Sequence, residues 1–139
     1  MYNKIMVPVD LRHTDTLGKA IKTAVDIAKA NDAHITFVGV TTSQPSSVAH
    51  NPEEYDTKLK AYADEQGQKH GVTISHKSKI SHDPAIDKDD LMEEIVEGEG
   101  FDLVVMASHI PGFAEHIFAS NAGYLASHAH CSVFVVRGE

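Results

Sequence analysis

Small polar residues follow an apolar run in the last third of the chain, where they could bind phosphate. Ser108 and His109 come directly after the run 103–106, and Ser120 stands where a helix is expected to begin. Backbone amides at a helix start are unpaired and attract anions. A second apolar run, 133–136, completes a strand–helix–strand unit, and such units bind ligands in the loop that leaves their first strand. The stretch therefore predicts a nucleotide site.

Other chemistries find less support in the residue pattern. The chain has ten histidines, but His128, His130 and Cys131 form the only close set. Positions two apart on a helix end point to different sides, so these three are not expected to share a metal. Ser108 and His109 lack the sharp elbow with flanking small residues that a nucleophilic serine needs, and no acid partner can be named. We therefore predict no catalytic residue and no metal site.

Acidic residues are concentrated between positions 83 and 102, where Lys88 is the only basic residue. One interpretation is the solvated face of a helix, whose first turn favours acids through its dipole. The other is a divalent-cation site, although the regular spacing and glycine of calcium loops are missing. The crowded residues are Asp83, Asp87, Asp89, Asp90, Glu93, Glu94, Glu97 and Glu99.

Composition indicates one globular domain that spans residues 1–139. The chain is 42% hydrophobic and 23% charged, which is typical of a folded protein rather than a disordered one. Its net charge of −8 disfavours general binding to nucleic acid, which requires clustered Lys and Arg. No apolar run approaches the roughly 20 residues that span a bilayer, and no signal-peptide pattern appears. The single cysteine, Cys131, cannot form an internal disulfide, so we expect a cytoplasmic protein.

Alternating apolar runs and amphipathic stretches predict the elements that would position these residues. Thr14 or Thr16 is expected to cap the first helix, and Gly71 to end the second. The polar stretch 41–52 is a long loop that either covers a ligand or is a tolerated surface excursion. The predicted strands lie in the runs 4–10, 34–40, 72–80 (an edge strand), 103–107 and 133–136, and the helices span 17–31, 53–70, 87–97 and about 120–130.

This alternation predicts an α/β fold with a five-stranded, mostly parallel sheet covered by helices on both faces. In such sheets ligands bind outside the carboxyl ends of the strands, where the winding direction reverses. The residues at those ends are Val9 and Asp10 after strand 1, Val40 and Thr41 after strand 2, and Ser108 and His109 after strand 4.

Several stretches resemble the universal stress protein family. The resemblance implies a Rossmann-like fold of the adenine-nucleotide alpha hydrolase type with strand order 3-2-1-4-5. It also implies a cytoplasmic homodimer paired through strand 5, at Val133, Phe134, Val135 and Val136. Many members bind ATP and others have lost that ability. The stretches that carry the resemblance are Met6-Val7-Pro8-Val9-Asp10, the run 102–109, Ser120-Asn121-Ala122 and the run 128–137.

The family's phosphate loop is altered in this chain. The family pattern is a glycine, two residues, a second glycine and, further on, a glycine followed by serine or threonine. Ala107, Ile110 and Ala119 stand at the three glycine positions. A glycine is needed only where φ is positive or a phosphate comes very close to the backbone. Pro111-Gly112 rebuilds the turn in a subgroup whose loop reads Ala-Ser-His-x-Pro, which this sequence matches.

The resemblance also assigns roles to single residues. Pro8, Val9, Asp10 and Val40 would contact the adenosine part of ATP, with or without Mg²⁺. Ser108, His109, Gly112, Ser120 and Asn121 would hold the phosphates. Alternatives stay open, because Asp10 could cap the following turn and Ser120 could be a simple helix cap.

Three functions fit these observations. The first is a nucleotide-responsive binding and signalling module without efficient turnover. The second is a dimeric member of the same family that no longer binds nucleotide. The third is a slow ATP-hydrolysing or adenylating enzyme of the related adenosine-binding group. That enzyme group carries a Ser-Gly-Gly-x-Asp-Ser-like loop after strand 1, whereas this chain has Asp10-Leu11-Arg12-His13-Thr14.

Overall fold

A computed structural model describes residues 1–81, 93–108 and 130–137. These residues contain a five-stranded sheet in the order β3-β2-β1-β4-β5, and every neighbouring pair is parallel. The predicted fold class and strand order are therefore confirmed. The strands are β1 Lys4–Pro8, β2 His34–Thr41, β3 Ile74–Ile80, β4 Leu103–Ala107 and β5 Ser132–Val136, and the helices are α1 Gly18–Asn31, α2 Pro52–His70 and α3, residues 93–99.

The central strand β1 is buried on both faces of the sheet. Ile5 and Val7 face a core that α1 and α2 cover, while Met6 faces a second core that includes Ile95 of α3. All three β1 side chains are fully buried. A continuous apolar run is expected for a parallel strand enclosed by helices, because successive side chains point to opposite faces.

Helix α1 begins without the threonine cap that the sequence predicts. Thr14–Thr16 form a short 3₁₀ turn, and the Thr16 hydroxyl donates to the carbonyl of His13 at 2.8 Å. Leu17 is the capping residue and has no side-chain hydrogen bond to the helix. The prediction is wrong because both threonines lie within the 3₁₀ turn, which leaves Leu17 at the capping position, and leucine has no side-chain acceptor for the first helical amides.

Helix α2 has a capping residue at each end. The Asn51 side chain accepts a hydrogen bond from the Glu54 amide at 2.7 Å, and Pro52 opens the helix. Gly71 ends it with φ of +70°, a conformation that favours glycine, as predicted. The helix packs against β3, which lies at the sheet edge as the alternating sequence indicates.

Some predicted elements lie outside the described residues. These are residues 87–92 of the third helix and most of the last helix, 120–130. Within the described segments, no helix combines the length and apolar character needed to cross a bilayer.

Candidate functional site

The carboxyl ends of the strands bring predicted site residues to one edge of the sheet, which we call the carboxyl edge. Pro8 pairs with Val38, and the Val9 amide donates to the Val38 carbonyl at 2.8 Å, so Val9 and Asp10 lie beside the end of β2. Ser108 follows β4, and its amide donates to the Val136 carbonyl at 2.8 Å. The residues placed at this edge are Pro8, Val9, Asp10, Val40 and Ser108; His109, Gly112, Ser120 and Asn121 lie outside the described residues.

Asp10 is engaged by Arg12 through both carboxylate oxygens. Arg12 donates from Nε to Oδ1 at 3.1 Å and from an Nη to Oδ2 at 3.0 Å. Its backbone amide also donates to Oδ1 at 3.0 Å, and the His13 amide donates to the Asp10 carbonyl at 3.0 Å. Asp10 therefore caps the turn after β1, which is one of the two roles left open by its sequence position.

The Asp10–Arg12 pair is partly shielded from water, and its ionisation is altered. The Asp10 side chain is 11% exposed and that of Arg12 is 41% exposed. Burial by itself would raise the pKa of Asp10, but the hydrogen bonds and charge of Arg12 outweigh it and hold that pKa below its ordinary value. The hydrogen bond to Asp10 has the opposite effect on its partner and raises the pKa of Arg12. The pair is thus ionised at neutral pH.

Tyr55 of α2 lies over β2 at Gly39, next to this pair. A Cβ atom on Gly39 would stand 2.4 Å from the Tyr55 hydroxyl oxygen and 2.9 Å from its Cε1 atom. Tyr55 is buried, and burial raises its pKa, with a further contribution from the charge of Asp10. The missing side chain at Gly39 lets the ring contact the strand directly. Tyr55 thereby forms a wall of the carboxyl edge.

Ser81 is a second buried polar residue near this edge. Its amide donates to the Thr41 carbonyl at 2.8 Å, which places it at the end of β3. The residue is 3% exposed, and its hydroxyl oxygen has no hydrogen-bond partner among the described residues. Buried hydroxyls are usually hydrogen-bonded, so this one is exceptional.

The loop that follows β2 is held by its own hydrogen bonds. The Ser46 amide donates to the Ala49 carbonyl at 2.8 Å, and the Ser46 hydroxyl accepts from the amides of Val48 and Ala49. Ala49 is buried in the α1–α2 core, and Lys58 of α2 donates to the Val48 carbonyl. The loop is thus anchored to α2 beside the carboxyl edge.

Sequence reasoning did not assign Arg12, Gly39, Tyr55 or Ser81 to the site. The Asp-x-Arg spacing after a strand was a usable signal, because an aspartate side chain readily accepts from the amide two residues on. A glycine inside β2 was another, since it marks a close approach of some other group. Among the residues that the structure describes, no group of three or more potential metal ligands is found.

Comparison with known proteins places this architecture in a family. A model of the universal stress protein family matches residues 1–137. The chain belongs to the universal stress protein family. It is 29% identical over 149 residues to universal stress protein G of Shigella flexneri, a match that covers 99% of this chain and 100% of the relative.

Solved universal stress protein structures share the fold. UspA from Lactobacillus plantarum superimposes with a TM-score of 0.70 at 20% identity, covering 98% of each chain. A family member from Arabidopsis thaliana, solved with AMP bound, gives a TM-score of 0.64 at 18% identity and covers 99% of this chain and 92% of its own. At these identities the likeness is evidence for the universal stress protein fold alone.

Proposed function

We propose that this universal stress protein is a nucleotide-responsive binding and signalling module that binds ATP at the carboxyl edge. The observation that carries the proposal is the convergence of Val9, Asp10, Val40 and Ser108 at that edge. The AMP-bound Arabidopsis structure supports an adenine nucleotide as the ligand class. By family resemblance we also propose that the module acts in the cytoplasm and turns over ATP slowly or not at all.

The chemistry of the described residues fits an adenine nucleotide. Val40 is partly exposed and offers an apolar surface to the base, whereas the side chain of Val9 is buried in the core beside it. Asp10 and Arg12 supply a charged pair beside it, where the ribose would lie. The Ser108 hydroxyl, on the far side of β1, would meet the phosphates. Mg²⁺ would arrive with the triphosphate, whose charge it partly neutralises.

Calorimetry with ATP, ADP and adenosine tests this proposal. We expect ATP to bind more tightly than adenosine, because phosphates gain charge-assisted hydrogen bonds at the end of β4. Identical weak heats for all three compounds would remove the phosphate site from the proposal. Nucleotide retained by the purified protein, detected by absorbance and mass spectrometry, would support it independently.

A pair of matched variants locates the binding. Asp10→Asn alters the carboxyl edge, whereas Asp102→Asn alters the opposite end of the sheet, where Asp102 accepts from the amides of Asn3 and Lys4 at 2.8 and 3.1 Å. We expect Asp10→Asn to weaken ATP binding several-fold and Asp102→Asn to leave it unchanged. Equal effects of the two variants would contradict binding at the carboxyl edge.

We also propose a homodimer that pairs through β5. Among the described residues β5 pairs only with β4, and Phe134 and Val135 are 46% and 39% exposed. Exposed apolar side chains on an edge strand favour contact with another chain. Val133 is partly buried and would adjoin the interface, whereas Val136 is buried in the chain's own core.

Sedimentation tests the dimer. The wild-type protein should sediment as a dimer at micromolar concentration, and Phe134→Asp should shift it toward monomer. Ile80→Asp is the control, because Ile80 is 48% exposed at the end of the other edge strand, β3. A monomeric wild type, or an Ile80→Asp variant that dissociates as readily as Phe134→Asp, would count against β5 as the interface.

A further inference from the structure

Lys79 is a partly buried lysine near the end of the edge strand β3. Its Cα atom pairs with that of Val40 on β2, which is the apolar base contact of the proposed nucleotide site. Neighbouring strands lie about 4.8 Å apart, and paired residues of parallel strands project from the same face of the sheet. The two side chains therefore lie next to each other at the carboxyl edge.

The residues that precede this pair show which face of the sheet it occupies. Ser78 donates from its hydroxyl to a carboxylate of α2 at 2.7 Å, and Gly39 contacts the tyrosine ring of α2. Both residues therefore face α2. Successive side chains of a strand point to opposite faces, so Lys79 and Val40 both lie on the face away from α2.

A second lysine on this face of β3 has a partner, whereas Lys79 has none. Lys77 pairs with the Glu99 carboxylate, and its neighbour on β2, Val38, is 2% exposed. Two residues further along, Lys79 makes no hydrogen bond or ion pair with any other residue in the described ranges. Val40 beside it is partly exposed, so the apolar surface becomes accessible at the position where the amine is unpaired.

An unpaired, partly buried ammonium group favours a ligand that supplies an acceptor. The group carries three donors and no acceptor, and its four-carbon stem can reach across a neighbouring residue. Lys19, Lys29 and Lys69 also lack such a partner among the described residues, but they are exposed and water solvates them. Adenine has acceptors at its ring nitrogens. A base that rests on Val40 would bring these acceptors to Lys79.

We propose that Lys79 donates a hydrogen bond to a ring nitrogen of the bound adenine and is thus a further binding residue of the carboxyl edge. The phosphate end of the site lies elsewhere, because Ser108 follows β4, and β2 and β1 separate β4 from β3. Three strand spacings amount to about 14 Å. The inference rests on the proposed function, since it requires the base to lie against Val40.

Nucleotides with different numbers of phosphates show which part of the ligand Lys79 contacts. We expect calorimetry to show that Lys79→Met weakens the binding of ATP, ADP and AMP by the same factor, about tenfold, because all three contain the base. A factor that shrinks as phosphates are removed would overturn the base contact. Unchanged affinities would indicate that the lysine stem only packs against the strand, and they would overturn it too.

Deaza analogues of ATP identify the acceptor atom. In 1-deaza-, 3-deaza- and 7-deaza-ATP, one ring nitrogen is replaced by a C–H group. We expect one analogue to bind the wild type about tenfold more weakly than ATP. The same analogue should bind Lys79→Met as tightly as ATP does, since the variant has already lost that contact. If every analogue loses the same affinity in the wild type and the variant, no ring nitrogen is coupled to Lys79 and the proposal fails.

Two further variants separate the contact from the charge. Lys77→Met removes the same charge from the same face of β3 and should leave ATP binding unchanged, because Lys77 already pairs with Glu99. Lys79→Arg keeps a cationic donor and should retain part of the affinity. Equal losses of ATP affinity in the two methionine variants would indicate a general effect of charge and would overturn the contact.

The outcomes separate this inference from the proposed function. If the wild type binds ATP and Lys79→Met binds it equally well, the role of Lys79 is wrong and nucleotide binding stands. If none of the nucleotides binds to the wild type, the proposed function fails, and the inference fails with it.

Discussion

Replacement of Gly39 by alanine should destabilise the protein through one contact. The new Cβ atom would stand 2.4 Å from the Tyr55 hydroxyl oxygen, 2.9 Å from Cε1 and 3.1 Å from Cζ. Ordinary contacts of carbon require about 3.5 Å or more, so the ring must move by roughly 1 Å. Tyr55 is 5% exposed and has little room to move. Overpacking of this kind costs about 1–3 kcal/mol, and we expect about 2 kcal/mol.

Gly39→Ala should stabilise the protein, rather than destabilise it, when the Tyr55 ring is absent. The φ of Gly39 lies outside the positive region, so alanine adds no backbone strain there. In a Tyr55→Ala background, Gly39→Ala should stabilise the strand by about 0.5–1 kcal/mol, because glycine loses more conformational freedom on folding. Tyr55→Phe should give an intermediate result, since it removes the hydroxyl oxygen and leaves Cε1 in place.

Urea unfolding followed by far-ultraviolet circular dichroism measures this double-mutant cycle, and the chain has no tryptophan to serve as a fluorescence probe. Gly67→Ala is the control, because a Cβ there would meet the Val72 carbonyl oxygen at 2.7 Å and no tyrosine atom. Its cost should not depend on Tyr55. A cost of Gly39→Ala that is the same with and without the Tyr55 ring would refute the proposed contact.

Two further predictions concern the ends of elements near the site. Asn51→Ala removes the side-chain acceptor for the Glu54 amide and should lower the free energy of unfolding by about 1 kcal/mol, measured by urea denaturation; no loss would contradict the cap. The pKa of Asp10 is lower in the folded protein than in the unfolded chain, where it is about 4. The ionised Asp10 therefore stabilises the folded protein fully above about pH 4, and this stabilisation is lost as the pH falls through the pKa of the folded state. Stability should therefore fall more steeply below pH 4 in the wild type than in Asp10→Asn, and parallel profiles would contradict this.

The sheet was predictable because its strands carry a local signal. Buried parallel strands read as apolar runs, and the run that contains β1 shows this without reference to the rest of the chain. The Gly71 stop of α2 is equally local, because the left-handed conformation it needs is one that glycine adopts readily. The strand order came from the family resemblance rather than from the runs themselves.

The details of the site depend on contacts that no short pattern encodes. Tyr55 meets Gly39 across two elements, and its α2 position alone indicates only a packing residue. The sequence likewise contains two threonines that could cap α1. In the structure they form a 3₁₀ turn in which the Thr16 hydroxyl donates to the His13 carbonyl, and this turn depends on the path of the chain after β1. The Asp10–Arg12 pair was local enough to find, yet the degree to which each partner is buried is a tertiary property.

The central claim is that an adenine nucleotide binds at the carboxyl edge, and amide chemical shifts during an ATP titration test it most directly. In ¹H–¹⁵N spectra we predict that the amides of Val9, Val40 and Ser108 shift progressively and saturate. The amides of Lys4 and His34, at the opposite ends of β1 and β2, should stay in place. Shifts confined to those opposite ends, or none at millimolar ATP, would contradict the claim.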